Sequence, residues 1–243
     1  MNKASLEKKF IEDLNNYIKS NKNIINAVKS LELISYFTGQ TNSIFDYVYK
    51  WHSLEYPELY NQLSRNNKAY IKAVLDLDLE KKESVITESL GNESNLILKQ
   101  LCTLFLDMDK VVEKLKSNID KSAKQSYPNL ATLLGPILAT KFISQMGSLE
   151  RLAKLPSSTL QLVGAETALF KHLKYGKKCP KYGFIYQHPI MQGIDNKRKG
   201  KLARFFAGKI ELAIRADVYT KKDMGAELLK SLDEKKAEIK AQK

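Results

Sequence analysis

Two long segments of the chain carry apolar residues in alternating steps of three and four, and this spacing restricts the fold more than any other feature. The series in the segment from about 93 to 126 has no fault. Such steps place side chains on one stripe of a helix, as in a coiled coil. The stripe consists of Leu98, Leu101, Phe105, Met108, Val112, Leu115, Ile119 and Ser122.

The first segment, from about 23 to 56, has the same alternation but is weaker around Thr38 and Gly39. Shorter helices and turns are expected between the two segments, with breaks at 76–79 and 91–92. Two such helices joined by a helical cap predict an antiparallel coiled-coil hairpin. Two ordinary bundle helices are the alternative. The first series consists of Ile24, Ala27, Leu31, Ile34, Thr38, Thr41, Phe45, Val48 and His52.

The remaining segments also favour helices, so the predicted fold class is all-α. Only 11 Gly and 6 Pro interrupt the 243 residues, and β-branched alternation is nearly absent. We predict a short N-terminal helix in 1–22, a coiled-coil domain in 23–126 and a compact helical domain in 127–243. Within the last, 129–146 is apolar nearly all round and should be buried, with Pro136 as a kink or a helix start.

The positive charge of the chain is concentrated in one stretch. Between Lys171 and Arg215 there are nine Lys and three Arg against Asp195 and Glu211, which leaves +10 of the chain's total of +13. Nucleic acid is the first partner that such a surface predicts, and an anionic membrane is the second. The absence of an apolar stripe beside the cations argues against a membrane. Two cysteines and no signal peptide predict a reducing cytoplasm.

Two helices in this stretch are candidates for phosphate contacts. In the first, Gly164 and Ala165 should leave backbone amides uncovered at the N-terminus, where the helix dipole favours an anion. Lys171 and Lys174 should be exposed while Ala168, Leu169 and Leu173 pack. The loop that follows adds Lys177, Lys178 and Lys181.

The second helix begins near Asn196 and separates its residues into two faces. At 100° per residue, Lys197, Lys201, Arg204 and Arg215 fall within an arc of roughly 60°. No acidic residue lies between Lys197 and Arg204, and such a row of like charges favours a bound polyanion over a merely solvated face. The opposite face carries Leu202, Phe206, Ile210 and Ala213.

An aromatic segment, 182–189, lies between these helices. We expect Phe184 and Ile185 to be core residues, and Gln187 and His188 to be exposed and able to meet unpaired bases. The three His and two Cys match no zinc spacing, and there is no P-loop or dinucleotide fingerprint. The sequence therefore predicts a binding module without metal, cofactor or catalysis.

Several motifs together resemble the Nop domain family, and nearly the whole chain is covered. The coiled-coil segments contribute Asn23-Ile-Ile-x-Ala-Val and Trp51-His-x-Leu-Glu-Tyr-Pro-Glu-Leu. The version Gln187-His188-Pro189 resembles the archaeal proteins of the family. The other motifs are Pro128-Asn-Leu-x-x-Leu-Leu-Gly-Pro, Gly147-Ser-Leu, Pro156-Ser-Ser-Thr-Leu-Gln, Gly164-Ala-Glu-x-Ala-Leu-Phe-Lys-His-Leu, Pro180-Lys-Tyr-Gly-Phe-Ile-Tyr-Gln-His-Pro and Lys199-Gly-Lys-Leu-Ala-Arg.

The resemblance implies a scaffold of a box C/D ribonucleoprotein. In that family the Nop domain recognises a kink-turn guide RNA together with its bound small ribosomal-type protein, and the coiled coil pairs two Nop proteins, here with itself or a paralogue. An N-terminal domain holds the fibrillarin methyltransferase that carries out 2′-O-methylation. Only about twenty residues precede the coiled coil here. Fibrillarin is therefore expected as a partner only if an N-terminal domain is missing from this sequence.

The heptad spacing, the charge pattern and the resemblance together give the candidate residues. Thr167 departs from the family pattern, where a Lys usually follows Gly-Ala-Glu. A coiled-coil protein-interaction scaffold and a spliceosomal-type Nop assembly factor are the alternatives. The dimerisation candidates are Leu98, Leu101, Phe105, Met108, Val112, Leu115 and Ile119. The RNA-binding candidates are Gly164, Ala165, Glu166, Lys171, Lys174, Lys178, Lys181, Gln187, His188, Asn196, Lys197, Arg198, Lys199, Lys201 and Arg204.

Overall fold

The computed structural model of the chain describes residues 3–53, 58–63, 65–80 and 87–241. These ranges are helical and contain no strand, which confirms the all-α class. None of their helices is both long and apolar enough to cross a membrane. The helices are α1 (Lys3–Ser20), α2 (Lys22–His52), α3 (Leu59–Gln62), α4 (Asn67–Glu80), α5 (Thr87–Ser126), α6 (Pro128–Leu134), α7 (Pro136–Met146), α8 (Leu149–Ala153), α9 (Ser157–Leu160), α10 (Glu166–Tyr175), α11 (Asn196–Arg215) and α12 (Gly225–Ala241).

The described residues fall into two compact units. The hairpin unit comprises 32–116, and the C-terminal unit comprises the chain up to Leu31 together with 117 onwards. Two side-chain hydrogen bonds in the C-terminal unit show that α2 and α5 run antiparallel there. Asn118 Nδ2 donates to Ser30 Oγ (2.9 Å), and Asn23 Nδ2 donates to Gln125 Oε1 (3.0 Å). From the first pair to the second, the residue number decreases along α2 and increases along α5, as the predicted antiparallel hairpin requires.

The hairpin unit has an aromatic core in which α4 packs on the segments of α2 and α5. Phe45 and Tyr70 are buried there with Cys102 and Phe105. The ring of His52 lies 3.0 Å from the Tyr70 hydroxyl, measured from Nδ1. Burial, with smaller contributions from Tyr49 and Cys102, raises the pKa of Tyr70 to about 12. The phenol therefore keeps its proton at neutral pH.

The predicted dimerisation residues lie mostly inside the chain, which corrects their assignment. Leu98, Phe105, Val112 and Ile119 are buried, so they are not available to a partner. Leu101, Met108 and Leu115 are half-buried at the edge of the seam. The physical reason is that the seam of an antiparallel hairpin is closed by the helices of the same chain.

Two predicted breaks between the long helices are wrong. Helix α4 continues through 76–79, and α5 begins at Thr87 and contains Gly91 and Asn92. One interior Gly costs a helix only about 1 kcal/mol relative to Ala, so the good helix formers around it prevail. The predicted end of the first long helix at Pro57 lies outside the described residues. The weak point of the first seam is confirmed, because Thr38 is exposed and its hydroxyl donates to Ile34 O (2.7 Å).

The core of the C-terminal unit forms where α6, α7, α11 and α12 meet. Pro128 and Pro136 each occupy the first turn of a helix, where a missing N–H costs nothing. Pro136 is thus a helix start, because Gly135 with φ +79° separates α6 from α7. The predicted burial of 129–146 is wrong for Ile137, which is 38% exposed. It is confirmed for the other main apolar residues of the segment, which are Leu130, Leu133, Leu134, Leu138, Phe142 and Ile143.

A buried carboxylate ties three parts of this unit together. Asp217, in a π-helical turn after α11, accepts hydrogen bonds from the backbone N–H of Asn129 (3.0 Å) and of Leu130 (2.9 Å). The Asn129 side chain donates to the same carboxylate (2.8 Å) and accepts from Met224 N (2.7 Å). Burial raises the pKa of Asp217, and these hydrogen bonds act in the opposite direction. The first turn of α6 is thereby fixed to the segment that leads into α12.

We expect Asp217→Ala to destabilise the protein by about 2–4 kcal/mol, because it leaves several buried donors unpaired. Urea unfolding followed by circular dichroism measures the loss. Asp223→Ala is the matched control, since Asp223 is exposed in the segment that follows this turn and should change stability by less than about 0.5 kcal/mol. Equal unfolding midpoints for the two variants would contradict a central role for the carboxylate.

Candidate nucleic-acid interface

The approach to α10 depends on two close backbone contacts. A Cβ added to Gly164, which has φ +86°, would lie 2.2 Å from Cδ1 of Phe184, and one added to Gly183 would lie 2.0 Å from Val163 O. Without those carbons, Phe184 N donates to Val163 O (2.7 Å) and Gly183 N to Gln161 O (2.9 Å). The two glycines therefore allow the chain before α10 to pack directly on the aromatic segment.

The amides that the sequence predicts to be uncovered at the N-terminus of α10 are not those of Gly164 and Ala165 themselves. Gly164 N donates to the Glu166 carboxylate (2.9 Å), and Ala165 N donates to Leu162 O (2.8 Å). The first intrahelical bond is donated by Leu169 to Ala165 O. The amides left over in the first turn are therefore those of residues 166–168.

Helix α10 lies on the surface, and the predicted packing of Ala168, Leu169 and Leu173 is wrong. None of its ten residues is buried, and Leu173 is 74% and Phe170 59% exposed. Ala168 is exposed and Leu169 only half-buried. Contact with the core is made by the residues around Gly164, so α10 itself needs no apolar anchor. Its surface combines exposed apolar side chains with the exposed cations Lys171 and Lys174.

The aromatic segment 182–189 is partly core, as predicted. Ile185 is buried and Phe184 is half-buried against the core. The rings of Tyr182 and Tyr186 stack with centroids 5.0 Å apart and planes 6° apart. The ammonium of Lys199 lies 5.0 Å from the Tyr186 centroid.

Lys199 therefore occupies a different position from that expected of an RNA contact. It is only 8% exposed, and its phase places it on the packing side of α11 with Leu202 and Phe206. A buried ammonium over an aromatic ring is stabilised by the ring's electron density. This arrangement holds Tyr186 against α11 and removes Lys199 from the exposed row of cations.

Gln187 and His188 are placed differently, although both were expected to be exposed. Gln187 is exposed, and Lys141 Nζ donates a 2.9 Å hydrogen bond to its Oε1. His188 is half-buried, with its ring edge-on to Phe206 at 5.0 Å and its Nδ1 accepting from Ile190 N (3.2 Å). Burial, and then Lys236, lowers the pKa of His188, so the ring is neutral at pH 7.

The cation row of α11 is arranged as its phase predicted. Lys197, Lys201 and Arg204 are exposed, and the opposite face is buried. Arg215 forms an ion pair with Glu211 (2.6 Å). Arg198 Nη1 donates to Ile239 O (3.2 Å), which joins α11 to α12. Asn196 is exposed at the first turn.

Lys181 connects the cations of α10 and of α11. Its Cδ would lie 3.9 Å from a Cβ on Gly200, and its carbonyl accepts from Gln161 Nε2 (2.6 Å). Across the described ranges, Lys171, Lys178, Lys197 and Arg204 have no ion-pair partner. We call the set the basic surface, and it consists of Lys171, Lys174, Lys178, Lys181, Lys197, Lys201 and Arg204.

Comparison with known proteins identifies the family. The family model described as Nop, "snoRNA binding domain, fibrillarin", matches residues 33–238. The chain belongs to the Nop family. An uncharacterized NOP5 family protein of Methanocaldococcus jannaschii is 32% identical over an alignment of 258 residues. The alignment covers 98% of this chain and 61% of that protein. Nucleolar protein 58 of Schizosaccharomyces pombe is 29% identical over 218 residues, covering 81% and 43%.

A solved structure adds a further comparison. The crystal structure of a fibrillarin/Nop5p complex contains a chain that is 19% identical, with a TM-score of 0.49, and the alignment covers 96% of this chain and 80% of that one. The chain spans less than two thirds of the length of the two curated relatives described above.

Two groups of residues in this Nop domain were not found from the sequence. Lys141 lies 46 residues from Gln187, and no local spacing connects them. Phe170, Leu173 and Tyr175 are exposed on α10. In the sequence they alternate with lysines, so the pattern does not separate an apolar face from a polar one. A ten-residue surface helix needs few apolar residues. The surplus of apolar residues in α10 could therefore have indicated that some of them are exposed.

We expect Gly164→Ala to destabilise the protein by about 2–4 kcal/mol, because the new methyl group overlaps Phe184 at a positive φ. Unfolding in urea measures the change. The control is Gly208→Ala, whose Cβ would enter open space within α11 and should stabilise by up to about 1 kcal/mol. If both glycines tolerate alanine equally, the close approach does not hold α10 in place.

Proposed function

We propose that this protein is a non-catalytic RNA-binding scaffold of a box C/D-type ribonucleoprotein. In this role it binds a kink-turn guide RNA together with the small ribosomal-type protein on that RNA, and it supports RNA-guided 2′-O-methylation. The observation that carries the proposal is the basic surface, which adjoins the exposed apolar side chains of α10 within one compact unit. Family membership supports the same reading.

The basic surface supplies what a phosphate backbone requires. Its cations come from α10, the loop after it and the first half of α11, and no acidic residue interrupts the row from Lys197 to Arg204. Lys197 and Arg204 have no ion-pair partner among the described residues, and such cations attract phosphates and release counterions when RNA binds. Arg215, on the same face but paired with Glu211, marks the end of the row.

The exposed side chains of α10 supply a surface for a protein. Phe170 and Tyr175 flank the ammonium of Lys174, whose distances to the two ring centroids are 5.7 and 5.3 Å. Aromatic side chains at the centre of an interface contribute more binding energy than most others. A helix that presents aromatic rings beside cations is suited to contact a protein and its RNA at the same time.

Self-association is proposed through a second apolar stripe in the hairpin unit. Leu33 and Tyr47 on α2 and Ile97, Leu104 and Val111 on α5 are between 40 and 68% exposed. On α5 the stripe continues in steps of four and three through the half-buried Leu101, Met108 and Leu115.

The two halves of this stripe lie on one face of the hairpin unit. Extending the register of the Ser30–Asn118 and Asn23–Gln125 pairs along the two helices sets position 33 opposite 115 and position 47 opposite 101. In both helices each residue of the stripe comes one position before a residue of the buried seam. Because the two helices run antiparallel, this one-residue offset places the stripe residues of α2 and of α5 on the same face of the hairpin. Helix α4 covers the other side, where Lys68 pairs with Asp109. A second copy would extend the heptad packing across the open face.

A gel shift with a kink-turn RNA tests the proposed function directly. We expect tight binding only when the RNA carries its small kink-turn-binding protein, and at least about tenfold weaker binding to bare RNA or to a plain duplex. Phe170→Ala with Leu173→Ala should remove the gain from the protein partner and leave bare-RNA affinity unchanged. Equal affinity for every duplex, with or without the partner, would reject composite recognition.

We expect Lys197→Ala with Arg204→Ala to weaken RNA binding and to flatten the dependence of log K on log salt by about 2, since each lost phosphate contact removes about 0.9. Fluorescence anisotropy from 50 to 200 mM salt measures the slope. Arg215→Ala, which removes one cation from the same helix, is the control and should leave the slope nearly unchanged, because its guanidinium is paired with Glu211. A full slope after the double substitution would place the RNA elsewhere.

We expect Leu104→Glu with Val111→Glu to convert a dimer into a monomer without unfolding it, because both side chains are exposed in a single chain and would place charges in the paired face. Sedimentation velocity measures the oligomeric state. Thr103→Glu, on the outer side of α5, is the control and should leave the dimer intact. A dimer that survives the double substitution would exclude this stripe.

A further inference from the structure

A groove of about 330 Å³ lies next to Gln187, where the junction of α6 and α7 meets the end of the aromatic segment. Its walls are mainly apolar and include the rings of Pro136 and Pro189 and the side chain of Ile137. Three polar side chains also line it, namely Lys141, Gln187 and His188, and none of the lining residues is acidic. The groove therefore combines flat apolar walls with a few polar groups at one side.

Those polar groups are arranged to donate hydrogen bonds. An ammonium can only donate, so the 2.9 Å contact between Lys141 Nζ and Gln187 identifies the amide atom that faces it as Oε1. The amide nitrogen, with its two hydrogens, must then point away from the ammonium. His188 accepts a backbone N–H at Nδ1, so its neutral ring carries its proton on Nε2.

The size and walls of the groove suit the flat ring of a nucleobase, since a ring can lie between proline side chains as it does between other apolar groups. Glutamine usually reads adenine by donating to N7 and accepting from the N6 amino group. Here the accepting oxygen is already held by Lys141. One lone pair of that oxygen remains, but the adjacent ammonium repels an amino group that approaches it.

We infer that the groove binds an unpaired uracil or guanine and that Lys141 sets this selectivity by making the Gln187 amide a donor. The inference rests on the proposed RNA-binding function and adds the base that is read and a residue that no motif indicates. Guanine O6 and N7 and uracil O4 all accept from a donor, whereas adenine can accept only at a ring nitrogen and loses the second bond, from its N6 amino group, when Oε1 is occupied. Cytosine likewise carries an amino group where uracil carries O4.

The test uses the full chain and fluorescein-labelled pentanucleotides, rU5 and rA5, in anisotropy titrations at low salt. We expect rU5 to bind about tenfold more tightly than rA5. Lys141→Met keeps the length of the side chain but frees Gln187 Oε1, so the ratio should fall to within about twofold through a gain for rA5. Gln187→Leu, at an exposed position, should also abolish the ratio.

Lys174→Met is the matched control. It removes a cation of the basic surface that does not line the groove, so both affinities should fall equally and the ratio should persist. A wild-type ratio within twofold, or an equal loss for both pentanucleotides in Lys141→Met, would overturn the inference; the second result would make Lys141 a simple phosphate contact.

The two proposals fail in different ways. Composite binding of the kink-turn complex without base preference would overturn only the groove. Preference for rU5 without composite binding would overturn only the box C/D assignment.

Discussion

The surface of the C-terminal unit depends on one close approach of backbone to backbone. Because Gly164 and Gly183 lack side chains, residues 161–164 lie directly on 183–184, and two hydrogen bonds join the two segments. Each bond contributes about 1 kcal/mol, and burial of the Phe184 ring adds a few kcal/mol more. The same contact fixes the start of α10 and the start of the segment that ends in Gln187. The apolar helix and the base-facing amide are therefore positioned by a single junction.

The helical fold could be predicted from the sequence because it is encoded in local spacing. The buried positions Ala27, Phe45, Leu98 and Val112 follow steps of three and four, and tertiary structure only had to close the seam. The breaks at 76–79 and 91–92 were wrong because residue type at one position counts for less than the propensity of a whole turn. Pro136 was ambiguous in sequence, since a proline fits both a kink and a first turn.

The site was predictable where charge and phase agreed, and not elsewhere. Lys197, Lys201 and Arg204 share a phase opposite to Phe206, and they are exposed as expected. Lys199 was assigned by its charge although its phase matches the packing face, and it is buried. The dimerisation set followed the strongest seam, which an antiparallel hairpin closes by itself. The hydrogen bond from Lys141 to Gln187 joins distant segments, and only the folded chain shows it.

No side chain of helix α10 is buried. Its residues can therefore change in evolution with little loss of folding stability, provided that Gly164 and Phe184 stay in place. Adaptation to an altered partner surface can then proceed by single substitutions, each of which is nearly neutral for the fold. Recognition and stability are in this way encoded by separate sets of residues, so that co-evolution with a partner need not pass through poorly folded intermediates.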